Sequence, residues 1–486
     1  MGVGVVASRP NIVLIMTDQQ RADFSRAEGF ALDTTPFIDR LATMGVRFER
    51  AYTPMPVCGP ARCSMLTGRF PRATHVRENG GLRHAFYNAD LISLLRDAGY
   101  RVHLCGKNHS HRTRADFDFW SEYGHVGGGR RDRRTAAQAE FDAWLQALDH
   151  GVALEPTPFP LSCQLPFRIV DDALECLEEQ RDTPFFLWLS FPEPHNPYQV
   201  PDPYFHLFPE AEIPERRAGP EAAEWKGPKW RWMRRLWESK RPGYDAAWPR
   251  YRANYCGMLR LIDDQIERFV DGLRSAGRSE DTLLIFVSDH GDYAGDYGLQ
   301  RKGIGLPECL VRIPMVWCGP GITPQAPVAD AFVSLVDVLP TLCEVMGAEV
   351  PYGVQGRSLW PLLQGQSGAE TALDSIYAEL GIGGRSYAED EYPPLHFAYA
   401  GPHLDELNSF TQSGLLKMVR RGPYKLLYSE DGRGELYQVE QDPAELHDLW
   451  NEPGYAEIRA ELTLEMLRWM LHTEDGLPTA RYLPKR

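Results

Sequence analysis

Residues 11–20 read NIVLIMTDQQ, a nearly unbroken apolar run that ends in a polar cluster. The run from Asn11 to Met16, bounded by Pro10 and by Thr17-Asp18, has the pattern of a central strand buried on both faces. A polar residue following such a strand sits at its carboxyl end, where open α/β sheets bind ligands. The same grammar recurs at 101–105, 184–191 and 282–287. Those runs lead into Gly106-Lys107-Asn108-His109, Pro194-His195-Asn196 and Ser288-Asp289-His290-Gly291. Between them, apolar residues spaced i, i+3, i+4 mark helices at 35–44, 90–98, 168–179 and 251–275. Strand alternating with helix predicts an α/β fold around a mostly parallel sheet, with the polar clusters converging on one sheet edge.

Further along, the helical pattern ends near 362–365, and short strands are expected at 416–420, 424–428 and 435–438. Asp431-Gly432-Arg433-Gly434 marks a turn, and a final helix is expected at 456–471. The chain therefore divides into a large α/β domain over 1–370 and a smaller α+β domain over 371–486, whose tail is 476–486. Two stretches look inserted, at 112–165 and 201–249. The first holds Gly127-Gly128-Gly129 and the basic run 130–134, which reads as a solvated loop rather than a polyanion site. The second is rich in Trp and Arg (EWKGPKWRWMRRLWESKRP). It reads as a helix packing Trp230, Met233 and Trp237 on the core, with an aromatic lid over a substrate ring as the alternative.

The 486 residues are 43% hydrophobic and 24% charged, an ordinary globular composition. The net charge of -15 repels nucleic acid, so an anionic substrate must meet a local cluster of cations. No apolar run approaches the roughly 20 residues of a membrane span. The first residues lack a signal-peptide pattern, and a cytoplasmic location is expected. Nine cysteines without a CxxC pair argue against a disulfide framework or a zinc knuckle. Most read as small buried hydrophobes; Cys58 is set apart by its neighbours.

The segment Cys58-Gly59-Pro60-Ala61-Arg62-Cys63-Ser64-Met65-Leu66-Thr67-Gly68-Arg69 resembles the sulfatase signature, C-x-P-x-R followed by L-T-G-R. A segment entering a helix offers positive backbone dipoles, and Arg62, on the same helical face as Cys58, is expected to donate hydrogen bonds to an oxygen anion of the substrate there. The resemblance implies that a formylglycine-generating enzyme oxidises Cys58 to formylglycine (3-oxoalanine), whose hydrated aldehyde is the nucleophile. Gly106-Lys107-Asn108-His109 resembles the family's second signature, with Asn108 where an aromatic is usual. It implies Lys107 on the sulfate and His109 beside the nucleophile.

Asp18-Gln19 and Asp289-His290 place oxygen and imidazole ligands at two strand ends, suited with Cys58 to a divalent cation. Gln19 stands where much of the family has a second Asp. That combination is similar to choline sulfatases and phosphonate monoester hydrolases. Calcium is the expected ion, with manganese or magnesium as alternatives. The stretches Leu299-Gln300-Arg301-Lys302-Gly303 and 308–314 (ECLVRIP) resemble the family's lysine loop, implying that Lys302 bridges the sulfate and leaving-group oxygens. By the same resemblance His195 lies on the leaving-group side. Asn79 and Arg83 would reach the leaving group, although a turn at Asn79-Gly80 explains them equally. Leu436-Tyr437-Gln438-Val439 and 442–449 resemble a late family element.

The resemblance, running from about 10 to 450, implies an alkaline-phosphatase-like α/β fold. It implies hydrolysis of a small-molecule or saccharide sulfate ester with release of inorganic sulfate. A phosphonate monoester or phosphodiester hydrolase using the same residues is the alternative reading, and a homo-oligomer is compatible with either.

Overall fold

Strand β1 (Asn11–Asp18) is the centre of the molecule, and every side chain from Ile12 to Met16 is fully buried. The computed structural model describes residues 9–178, 183–381, 388, 390–391, 414–474 and 476–477. The other strands of the large sheet are β2 (Val46–Tyr52), β3 (Arg101–Gly106), β4 (Phe119–Gly124), β5 (Gly127–Gly128), β6 (Phe185–Pro194), β7 (Thr282–Ser288), β8 (Met315–Cys318) and β9 (Val328–Ser334). Their spatial order is β5-β4-β3-β6-β1-β7-β8-β2-β9. From β4 to β7 neighbours run parallel, while β8 is antiparallel to both β7 and β2.

Side chains of β1 alternate between two cores, as a period of two requires. Ile12, Leu14 and Met16 join Met65, Leu66, Leu91 and Leu339 on one face. Val13 and Ile15 join Ile169, Ile266 and Phe269 on the other. The second face is covered by the helices Leu165–Glu178 and Trp248–Ser275. The first is covered by Cys58–Thr67, Leu91–Asp97 and Val338–Met346.

Parallel pairing aligns the strand exits. Met16 pairs with Ser190, Thr17 with Ser288 and Gly106 with Ser190, so β1, β3, β6 and β7 all release their chain at one edge. Gly106 has a φ of 115°, and a Cβ there would lie 1.7 Å from the carbonyl oxygen of Ser190. Only glycine permits that approach, and it delivers Lys107 to the edge.

The stretch 112–165 differs from the expected insert. It adds β4 and β5 to the large sheet and carries the helix Ala136–Ala147. Its basic run is mostly exposed, with Arg130 and Arg133 paired to Glu175. The Trp-rich stretch forms the helix Pro228–Lys240, and Trp230, Trp232, Met233, Leu236 and Trp237 are buried on it. Trp230 packs on Tyr297 with ring centroids 5.0 Å apart, so the packing role describes this helix.

A second, antiparallel sheet comprises β10 (Ser375–Leu380), β11 (Leu416–Arg421), β12 (Tyr424–Ser429) and β13 (Gly434–Gln438). The helix Ala456–His472 lays Leu462, Met466 and Trp469 on it. Sequence patterning misses β10. The tail beyond 477 lies outside the described residues. Buried charges join this sheet to the lysine loop: Lys425 donates to Glu308, Glu445 and the Leu306 carbonyl, and Arg420 donates to Glu308. Those cations hold the Glu308 carboxyl, despite its burial, down at about 2. None of the nine cysteines forms a disulfide among the described residues. Among the described residues no helix is long and apolar enough to cross a membrane.

Candidate active site

Cys58 is the first residue of its helix and is almost fully buried. Among the described residues three side chains come within hydrogen-bonding range of its sulfur. They are Lys302 Nζ at 3.1 Å, His290 Nε2 at 3.3 Å and Asp18 Oδ1 at 3.6 Å. Burial and the charge of Asp18 oppose ionisation of the thiol. Lys107, Lys302 and His290 outweigh them and bring it down to about 5. Cys63, on the same helix, is pushed by burial up to about 12. The contrast isolates Cys58 as the reactive position. Asn79, also buried, accepts the Gly59 N–H at 2.9 Å and so satisfies an open donor at the start of this helix.

The two strand-end carboxylates lie beside the thiol. Asp289 Oδ1 accepts the backbone N–H of Gln19 at 3.0 Å and of His290 at 2.9 Å. Its Oδ2 accepts Arg62 Nε at 2.9 Å. Asp18 Oδ2 accepts Lys107 Nζ and Arg62 Nη2. Burial opposes charge on Asp18, yet Lys107 and the neighbouring imidazoles hold its carboxyl well below the usual range. Arg62 also donates from Nη1 to the Lys107 carbonyl at 2.9 Å and to Ser190 Oγ at 2.8 Å. Completely buried and spent on these partners, Arg62 braces the two carboxylates. The expected role, a donor aimed at the substrate, does not describe these contacts.

Ligand atoms of Asp18, Cys58, Asp289 and His290 all lie within 4.8 Å of one another. His290 Nδ1 lies 2.8 Å from the Gly291 carbonyl, which only accepts, so Nδ1 carries hydrogen and Nε2 is the nitrogen turned toward the cluster, where a bound cation would displace its proton. Gln19 has a φ of 74° and donates its Nε2 to Asp292 Oδ2 at 2.5 Å, leaving Oε1 toward Lys302 Nζ at 3.4 Å. Two carboxylates, a carboxamide oxygen and an imidazole form a donor set suited to a divalent cation.

Lys107 and Lys302 are the local cations that the overall negative charge demanded. The Cys58 and Asp18 charges outweigh burial and raise the Lys302 pKa, keeping its ammonium protonated. His195 is buried at the end of β6. Burial, His125 and Lys302 together push its pKa well down. The resting ring is neutral, with Nδ1 against the Asn196 carbonyl at 2.8 Å. His109, with φ 42°, is half-buried and is not among the groups bonded to the Cys58 sulfur.

Sequence reasoning missed three site residues. His125, in the turn between β4 and β5, meets Lys107 Nζ at 2.9 Å and stacks on His195 with centroids 3.7 Å apart. His150 stands edge-on to His195 at 6.2 Å. Asp292 binds Gln19 and also accepts Tyr198 Oη at 2.7 Å and the N–H of Arg301 at 2.8 Å. Of these, Asp292 had a readable signal, two residues beyond His290 in the same polar cluster.

The family described as Sulfatase matches residues 10–348. An arylsulfatase of Clostridium perfringens is 28% identical over 98% of each chain. A choline-sulfatase of Rhizobium meliloti is 27% identical over 94% of this chain and 86% of its own. Among solved structures, a phosphonate monoester hydrolase from Silicibacter pomeroyi superposes with a TM-score of 0.79 at 22% identity, covering 96% of both chains. The last shares the fold, as expected from the large mixed sheet and the C-terminal antiparallel one. With the family match spanning β1 to the helix Val338–Met346 and the Cys58 cluster inside it, the chain belongs to the sulfatase family of hydrolases, in the alkaline phosphatase superfamily.

Proposed function

We propose that this enzyme hydrolyses a sulfate monoester through a formylglycine made from Cys58, beside a divalent metal held by Asp18, Asp289, His290 and Gln19. The observation that carries the reading is the convergence of the Cys58 sulfur, the Asp18 and His290 ligand atoms and the Lys302 ammonium within a few ångströms. The aldehyde, when hydrated, supplies a nucleophile, and the metal supplies positive charge for a sulfate oxygen.

This chain's own residues do the rest. Lys107 and Lys302 offset negative charge on the ester oxygens, in a buried setting where each charge counts for more than in water. Lys302 holds a proton in the resting site and His195 does not, so Lys302 protonates the departing alcohol oxygen while His195 hydrogen-bonds it. Arg62 keeps Asp18 and Asp289 together although both are buried carboxylates.

Maturation requires the formylglycine-generating enzyme. Coexpression with it, followed by peptide mass measurement, should show the Cys58 peptide converted from thiol to aldehyde. Purified protein should then release inorganic sulfate from an aryl sulfate. A matured Cys58 with no sulfate release from aryl, choline or saccharide sulfates would overturn the reading.

A second reading rests on Gln19, whose neutral carboxamide lowers the charge of the donor set. A phosphonate monoester carries the same single negative charge and tetrahedral centre as a sulfate monoester. Parallel assays of aryl sulfate, phosphonate monoester and phosphodiester decide between them; a phosphonate rate far above the sulfate rate selects the second.

A further inference from the structure

His125 enters the site from the 112–165 stretch, outside the motifs that resemble other sulfatases. Its Nδ1 faces the Pro192 carbonyl at 3.2 Å. A carbonyl only accepts, so Nδ1 carries the hydrogen and Nε2 is left as a lone pair. That lone pair meets Lys107 Nζ at 2.9 Å. The ammonium has three hydrogens: one goes to Asp18 and one to His125, which fixes the direction of the third. The opposite role falls to the ring face. His125 and His195 lie 3.7 Å apart, centroid to centroid, with their planes 20° from parallel. The imidazole thus touches one group assigned to the sulfate and one assigned to the leaving group, using an edge for the first and a face for the second.

The geometry points to His125 as a positioning residue that aims the Lys107 ammonium by its Nε2 and holds the His195 ring by stacking. The inference rests on the functional reading above, in which Lys107 meets the anionic oxygens and His195 the leaving group. His125 touches neither reacting atom. Its place in the turn Gly124–Gly127 explains why it can do both: the turn hangs off the sheet edge next to β3, which carries Lys107, and one strand from β6, which carries His195.

Two substitutions separate the two roles. His125→Phe keeps a ring against His195 and removes the acceptor. His125→Gln keeps an acceptor oxygen for Lys107 and removes the ring. Both would be assayed as matured enzyme on aryl sulfates whose phenol leaving groups span several pKa units, with thermal melting as a check on folding.

The expected result is a split. His125→Phe loses about 10–100-fold in kcat/KM for every leaving group alike, and adds no further loss to Lys107→Ala, because both act on the same ammonium. His125→Gln loses more for poor leaving groups than for good ones. Equal, leaving-group-independent losses in the two variants would overturn the proposal, as would losses that add fully to Lys107→Ala. A wild-type enzyme with no sulfatase activity defeats the functional reading instead, and an active wild type with unaffected variants defeats this inference alone.

Discussion

Gln19 gives its carboxamide Nε2 to Asp292, and that single contact decides that the amide oxygen is the end turned to Lys302. A carboxylate cannot donate while ionised, so the oxygen of Gln19 must point the other way, toward Lys302. Asp292→Ala frees the amide to rotate. Metal affinity, measured by chelator competition, should fall about 10–100-fold, the usual cost of losing an outer partner of a metal ligand. The stabilisation on adding calcium or manganese should shrink in parallel. Undiminished affinity in the variant would show that Gln19 is not held as a ligand by Asp292.

Lys302 is a cation beside a thiol whose own pKa is about 5. In metal-free protein made without maturation, Lys302→Met should raise the pH midpoint of Cys58 alkylation by about 1–2 units. Cys63 and Cys256, both pushed up to about 12 by burial, give little background. In matured enzyme the same change should cost about 100–1000-fold in kcat. An unmoved alkylation midpoint would contradict the charge contact.

Asn79 was a substrate-binding candidate, and the structure gives it a local task at Gly59. Asn79→Ala should lower unfolding free energy by about 1 kcal/mol, as loss of a helix N-terminal acceptor does. Asn79→Asp retains an acceptor oxygen and should restore stability. If the aspartate variant is stable but has a raised KM, the lost amide N–H is the part that meets substrate.

Glu193 is buried beside the site, and among the described residues its Oε2 has no hydrogen-bond partner. Burial raises its carboxyl from 4.5 to about 8. The folded protein therefore keeps a proton that the unfolded chain has already lost. Its contribution to stability is present below about 4.5 and drains away as pH rises through 8. Glu193→Gln removes this drain, so the melting temperature of the variant relative to wild type should climb between pH 6 and pH 9 by about a few degrees. A constant difference across that range would refute the buried protonation.

Much of this was written plainly in the chain. The apolar runs of β1, β3, β6 and β7 are long and undiluted, and the residues after them, Asp18, Lys107, His195, Asp289 and His290, do gather at one edge. Cys58, Asp18, His290 and Lys302 meet as their motifs suggest. His125 was not legible, because its strand β4 reads FWSEYG, without clean alternation, and β5 is two glycines. Its partners lie 18 and 70 residues away and are reached only by sheet crossovers, which spacing does not encode. The reassignment of Arg62 from substrate donor to brace needed coordinates, since a guanidinium at that helical position suits either role.

The link between Lys425 and Glu308 carries one more lesson, about what can be removed from this chain. Division near residue 370 looks natural on paper, with a catalytic unit that contains every candidate site residue. Cutting there would strip Glu308 of Arg420 and Lys425, and a buried carboxylate left without its partners costs about 3–5 kcal/mol. Glu308 closes the loop that begins at Lys302. The shorter piece would hold all the chemistry and lack its foundation, so the last hundred residues are inherited with the active site rather than appended to it.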